Sequence, residues 1–221
     1  MEKRRDSATA YIILADGFET IEALTPLDVL RRCGVEVTTI SLNQTRAVRS
    51  SHGVTVEADA TMEEFMHNCN CCASAIGTGT NSSIAGTSSS AGSSTTASSA
   101  VRQALILPGG YPGYKNLCES AEVGALITQF HKEGKLLCAI CGAPTALKAN
   151  QICRGAAITC HTSVKEELSD YYSILSSAVV KYMNIITGMG AGRSLEFAFA
   201  IAEALTSKEK VEEIKAKMEI I

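Results

Sequence analysis

The sequence predicts an α/β sandwich with a mostly parallel sheet and right-handed crossovers. Three observations carry that expectation. Continuous apolar runs of strand length recur, as parallel strands buried on both faces require. Segments of helical spacing alternate with them. The junctions carry turn and cap residues, Asp16-Gly17, Gly34, Gly109-Gly110 and Pro144 among them.

Taken in order, Tyr11-Ile-Ile-Leu-Ala15 reads as the first buried strand, and Asp16-Gly17 as its turn. A helix follows with Ile21, Leu24, Leu27 and Leu30 as its apolar positions, Arg31-Arg32 in the last turn and Gly34 as the stop. Val35 to Leu42 is a β-branched strand, Ser50-Ser-His-Gly53 a hairpin turn, and Thr61-Met-Glu-Glu64 a capping box that opens a short helix. Between Ala73 and Ala100, 25 of 28 residues are Ser, Thr, Ala or Gly without period. Such a stretch buries too little apolar area to offset its ordering entropy, so it is expected to be a disordered surface insertion. The remaining 193 residues suit one domain.

Beyond the insertion the alternation resumes. Ala104 to Pro108 is a strand running into Gly109-Gly110, and Ser120 caps a helix that ends near Gly134. Leu136 to Ile140 is a strand broken at Cys141, with Pro144 near the start of the next helix. Ala156 to Cys160 and Asn184 to Thr187 are read as strands, Ser194 to Leu205 as an apolar helix, and Ser207 to Met218 as a last amphipathic one.

Composition excludes several function classes. The chain of 221 residues is 46% hydrophobic and 19% charged with a net charge of −3, so it offers no basic field for sequence-specific nucleic acid and no polybasic membrane anchor. No apolar run reaches the roughly 20 residues of a membrane span, and Met1 to Asp6 opens no signal peptide. A cytoplasmic protein is expected, with nucleus and mitochondrion compatible. Nine cysteines in so long and apolar a chain, an odd number, read as thiols rather than as a disulfide framework.

Ligands of open α/β sheets bind outside the carboxyl ends of the strands, and three groups are expected there. Cys141 stands at a strand-to-helix junction of nucleophile-elbow type, where amides at a helix start favour thiolate. Backbone amides of Gly142 and Gly110 form a candidate oxyanion site. Glu19 and Glu22 lie one turn apart at the start of the first helix. Glu19 suits the helix dipole equally well, whereas Glu22 beside a thiolate would have its pKa raised until it donates a hydrogen bond to sulfur. His161 ends a strand and is the third candidate, against the commoner structural role of a lone histidine.

Other groupings read as structure. Cys138 and Cys141 spell C-x-x-C, but a strand places their Cα atoms roughly 10 Å apart and on opposite faces, too far for a disulfide, so Cys138 is read as buried packing. His67 and His131 fall on exposed helical positions and His52 in the hairpin. Cys69-Asn-Cys-Cys72 beside His67 lacks a second ligand pair, so no metal site is expected.

Several motifs taken together resemble a known family. They are Ala15-Asp-Gly-Phe-Glu-Thr-Ile-Glu22, Pro26 to Gly34, Leu107-Pro-Gly-Gly110, Asn116-Leu, Ala139-Ile-Cys-Gly-Ala-Pro-Thr-Ala-Leu147, Thr159-Cys-His161 and Ser194 to Leu205. In order and over nearly the whole chain outside 73–100, they resemble the ThiJ/PfpI superfamily, nearest its DJ-one branch of parkinsonism-associated deglycases. The resemblance implies a flavodoxin-like α/β/α sandwich, a homodimer, and no metal or organic cofactor. It makes Cys141 an oxidation-prone nucleophile, Glu22 its protonated partner and His161 the pocket histidine, with Gly110 and Gly142 at oxyanion positions. Gly109, Arg32 and His52 are the remaining expected binding residues. His52 stands where the branch carries an arginine, Thr162 where it has a proline, and Glu57 where it has an interface cysteine. Gly142 after Cys141, and the absence of His-x-Glu at His161, exclude the PfpI-peptidase and glutamine-amidotransferase readings.

Two functions follow. One is a cysteine-dependent glyoxalase or protein deglycase acting on methylglyoxal, glyoxal or their protein adducts. The other is a redox sensor or chaperone of oxidative stress with no turnover. A thiamine-precursor role echoes the superfamily name only.

Overall fold

The computed structural model describes residues 8–68 and 102–220. The 73–100 stretch and Cys69, Cys71 and Cys72 lie outside them. In chain order the elements are β1 (Thr9–Leu14), α1 (Thr20–Arg32), β2 (Glu36–Ser41), β3 (Ala47–Arg49), β4 (Thr55–Glu57), β5 (Ala60–Thr61) and α2 (Met62–Asn68). After the undescribed residues come β6 (Gln103–Leu107), α3 (Gly113–Glu119), α4 (Ala121–Lys132), β7 (Leu136–Ile140), α5 (Pro144–Ala149), β8 (Ala157–Ile158) and α6 (Lys165–Leu168). The chain closes with β9 (Ser173–Ile174), β10 (Val179–Tyr182), β11 (Ile185–Gly188), α7 (Ser194–Leu205) and α8 (Lys208–Lys217).

Seven strands form one sheet in the order β10-β11-β7-β6-β1-β2-β5. All its pairings are parallel except that of β10 with β11 at one edge. The strands alternate strictly between layers, because successive side chains of a strand point to opposite faces. Ala10, Ile12 and Leu14 of β1 face the layer of α1, α7 and α8, with Val29, Leu30, Phe197, Ile201 and Val211. Ile13 and Tyr11 face the other layer, with Phe65, Leu126, Ile127, Phe130 and Leu147. Both faces are therefore covered, as an α/β/α sandwich requires.

Local chemistry places the helix starts where the sequence puts them. Thr61 and Glu64 close the capping box reciprocally: Glu64 N–H donates to Thr61 Oγ1 at 3.2 Å and Thr61 N–H to Glu64 Oε2 at 2.8 Å. Ser120 Oγ accepts from Val123 N–H at 3.2 Å to open α4, and Ser207 Oγ accepts from Lys210 N–H at 3.2 Å to open α8.

Four expectations need correction. The buried face of α1 is Glu22, Ala23, Pro26, Val29 and Leu30, while Ile21 is 47% exposed and Leu24 and Leu27 are half-buried. A strict spacing of three drifts by about 60° per step on a helix of 3.6 residues per turn, so Ile21 and Leu30 end on opposite sides. The strand expected at Ala156 to Cys160 shrinks to β8 and pairs with β9 in a separate two-stranded sheet. His131 is partly buried, with Nε2 3.8 Å from Cys153 Sγ, because α4 turns that position toward the loop after α5. Cys138 and Cys141 pack in the same layer rather than on opposite faces, because Cys141 lies beyond the strand and takes a positive φ of 65°.

Candidate active site at the switch point of the sheet

From β1 the chain runs outward through β2 to β5, then returns to the other side of β1 and continues through β6, β7 and β11. The order reverses between β1 and β6, and at that point the loops after neighbouring strands part to leave a crevice. The loop after β1 brings Glu19 and the first turn of α1 brings Glu22, the loop after β6 brings Gly109 and Gly110, and the turn after β7 brings Cys141.

The Cys141 backbone is held at both ends, its N–H donating to Gly188 O at 3.0 Å and its C=O accepting from His161 N–H at 2.9 Å. A φ of 65° is costly for a residue with a Cβ, by about 1–3 kcal/mol, and persists where the surroundings over-determine it. Here it aims the thiol from the strand end at α1. Glu22 is fully buried; its Oε2 accepts from Gly109 N–H at 2.9 Å, and its carboxyl meets the Cys141 thiol. Its Oε1 has no hydrogen-bond partner among the described residues. The amides of Gly110 and Gly142 also point at the sulfur.

Glycine is dictated at one of these positions by space. A Cβ on Gly109 would lie 2.6 Å from Cys141 Cβ and 2.7 Å from Glu22 Oε2. The flat contact between the two functional side chains exists because nothing projects there.

Charge is balanced against burial. Desolvation raises Glu22 to about 7, partly opposed by its hydrogen bonds to Cys141 and Gly109. Burial and then the Glu22 charge push the Cys141 thiol up to about 12, while the amides of Gly110 and Gly142 pull it down. The expectation of a thiol depressed by a helix start is thus not met: burial first, and the Glu22 charge second, outweigh the amides. The helix α5 begins only at Pro144, three residues on, and the amides that act come from the turn.

The remaining expected residues are scattered. His161 is exposed, next to Cys141 through its own N–H; its Nδ1 accepts from Ser163 N–H at 3.2 Å and meets Ser163 Oγ at 2.8 Å, which fixes the ring and leaves Nε2 outside these contacts. His52 is held at the tip of the β3–β4 hairpin, its Nδ1 3.3 Å from Glu19 Oε2, which also accepts from Ser51 Oγ at 3.2 Å. Arg32 is not at the site: it sits ten residues, about 15 Å along α1, beyond Glu22 and pairs with Asp28 at 2.7 Å. Residues that the sequence reading did not single out include Gly188, Ser163 and Tyr114, whose ring lies against Gly142. Two clefts of about 660 and 640 Å³ flank α4 and contain none of the site residues. Among the described residues no group of three or more His, Cys, Asp or Glu is placed to hold a metal.

The DJ-1/PfpI family model matches residues 8–204. The chain belongs to the DJ-1/PfpI family. Relatives within it span both chains almost fully: the protein dj-1beta of Drosophila melanogaster is 34% identical over 209 residues, 94% of this chain and 95% of that one. The crystal structure of Drosophila melanogaster DJ-1beta superposes with a TM-score of 0.79 at 32% identity, covering 97% of this chain and 99% of the other. A glutathione-independent glyoxalase of Caenorhabditis elegans, DJR-1.2, is 39% identical over 107 residues, 48% of this chain and 56% of that protein. DJ-1/PfpI membership accounts for the α/β/α sandwich around the site.

Proposed function

We propose that this protein is a cysteine-dependent glyoxalase or deglycase, with methylglyoxal, glyoxal or their early adducts on protein side chains as substrates. The observation that carries the reading is the fully buried Glu22 carboxyl on the Cys141 thiol, with the Gly110 and Gly142 amides converging on the same sulfur. The similarity to a relative named as a glutathione-independent glyoxalase supports it.

In this reading the thiol proton passes to Glu22 as sulfur adds to the aldehyde carbon of methylglyoxal, and the new oxyanion receives the two amides. Glu22 then gives the thiol proton to the C2 oxygen, and Glu22 so freed, or His161 Nε2, carries the C1 proton to the C2 carbon, which oxidises C1 to the thioester carbonyl and reduces C2 to the carbinol without an external oxidant. Water releases lactate from the resulting thioester and returns the proton to sulfur. Cys141→Ala is expected to remove methylglyoxal loss, measured by lactate formation, with an unchanged circular dichroism spectrum. Turnover equal to wild type would overturn the proposal.

A second reading, a redox sensor, is favoured by the buried Glu22 Oε1, which has no hydrogen-bond partner among the described residues although its carboxyl lies on the Cys141 thiol. Protonated there, it would donate to an oxygen of a Cys141 sulfinate. Mild peroxide should then add two oxygens in intact mass, and the gain should vanish in Cys141→Ala; a gain that survives that substitution would count against it. In either reading we expect a homodimer, and localisation in the cytoplasm. No described helix is long and apolar enough to cross a membrane.

A further inference from the structure

Two tyrosines stand at the mouth of the Cys141 site without a role in the chemistry above. Tyr111 directly follows Gly110, and Tyr114 lies across Gly142, the two glycines whose amides meet the sulfur. A Cβ on Gly142 would be 2.7 to 3.0 Å from three ring carbons of Tyr114, so that ring covers the glycine face-on. The Tyr111 ring is 68% exposed, with its centroid 6.3 Å from that of Tyr114 and its plane tilted by 55°.

The loop that carries both rings is pinned. A Cβ on Gly17 would lie 2.4 Å from Pro112 Cδ, and one on Gly113 would lie 2.6 Å from Phe18 N, so Pro112 and Gly113 rest directly on the 17–18 backbone. Tyr114 N–H donates to Gly110 O and Lys115 N–H to Pro112 O, both at 2.9 Å. The exposed ring is therefore mounted on a short loop tied at both ends to the site, which lowers the entropy cost of using it.

Space decides where a substrate's substituent goes. A carbonyl carbon bonded to Cys141 Sγ, with its oxygen on the Gly110 and Gly142 amides, cannot extend inward, because Gly109, Glu22 and Cys141 are already in contact there. The direction left open is outward past Gly110 and Gly142, the glycines beside which Tyr111 and Tyr114 stand. We infer that Tyr111 and Tyr114 form an aromatic subsite that selects 2-oxoaldehydes bearing an aryl substituent over those bearing a methyl. The inference rests on the glyoxalase reading of Cys141.

The test compares kcat/KM for phenylglyoxal and methylglyoxal in wild type, Tyr111→Ala and Tyr111→Phe. Wild type should prefer phenylglyoxal, and Tyr111→Ala should lower the phenylglyoxal-to-methylglyoxal ratio by roughly 2- to 10-fold, the size of one offset or edge-on aromatic contact, with the change in KM. Tyr111→Phe should restore the ratio, since the ring and not the hydroxyl is used. A ratio that Tyr111→Ala leaves unchanged, or a wild type that favours methylglyoxal, overturns the subsite and leaves the Cys141 reading standing. A wild type that turns over neither compound overturns both.

Discussion

Cys141 and Glu22 share one pool of protons, and neither can be titrated alone. The values near 7 and near 12 belong to the pair: a first proton leaves near neutrality, and the second leaves only against the charge already present. Near pH 7 the remaining proton sits on either sulfur or carboxyl, so a nucleophilic thiolate exists whenever Glu22 holds it. Iodoacetamide alkylation of Cys141 is therefore expected to rise in two steps, near pH 7 and again toward 12. In Glu22→Gln the repulsion is gone while the burial remains, so a single step below 12 should replace both. Identical single steps near the free-thiol value of about 8.5 in both proteins would remove the coupling. At this scale the sequence showed Cys141 and Glu22 because one directly follows a recognisable strand and the other opens the helix after one. It could not show that Cys141 would take a positive φ, or that the charge balance would leave the thiol raised, since both depend on atoms brought from other strands. Within one chain Arg32 lies about 15 Å along α1 from Glu22, a distance that a resemblance of residue identities does not carry.

The elements were legible where burial is complete. The runs at β1, β6 and β7 are apolar throughout because helices cover both their faces. By contrast β10 buries none of its four residues fully, and α3 buries only Gly113 and Leu117, so neither leaves an apolar period to read. The turn after β6 is where an element boundary becomes a functional constraint. Gly109→Ala would drive a methyl into Cys141 Cβ and Glu22 Oε2 and toward Ile140 O at 3.0 Å, against two strand ends that cannot retreat. Overpacking of this kind costs about 1–3 kcal/mol. The substitution should lower the urea midpoint accordingly and slow Cys141 alkylation, whereas a midpoint equal to wild type would show that the strand ends give way more easily than their packing implies.

For the whole molecule, the reversal of strand order between β1 and β6 decides where chemistry is possible, and α1 ties that point to the outer surface. Its inner face delivers Glu22 to the sulfur, while its outer face shows Ile21 with Leu24 half-buried beside it; Leu195 at the start of α7 is likewise 43% exposed. Apolar side chains on a helix that already packs one face on the sheet are what a second copy of the chain would cover, and a stable contact needs about 800 Å² from each partner. A homodimer seated on this face of α1, as expected above, would link assembly and the position of Glu22 through one helix. Light scattering after size exclusion should give twice the 23.3 kDa of the chain at micromolar concentration. Ile21→Lys should shift it toward the single-chain mass, because a buried, unpaired ammonium opposes association. A wild type that stays at the single-chain mass would overturn the dimer; a dimer that tolerates Ile21→Lys would move its seat away from α1.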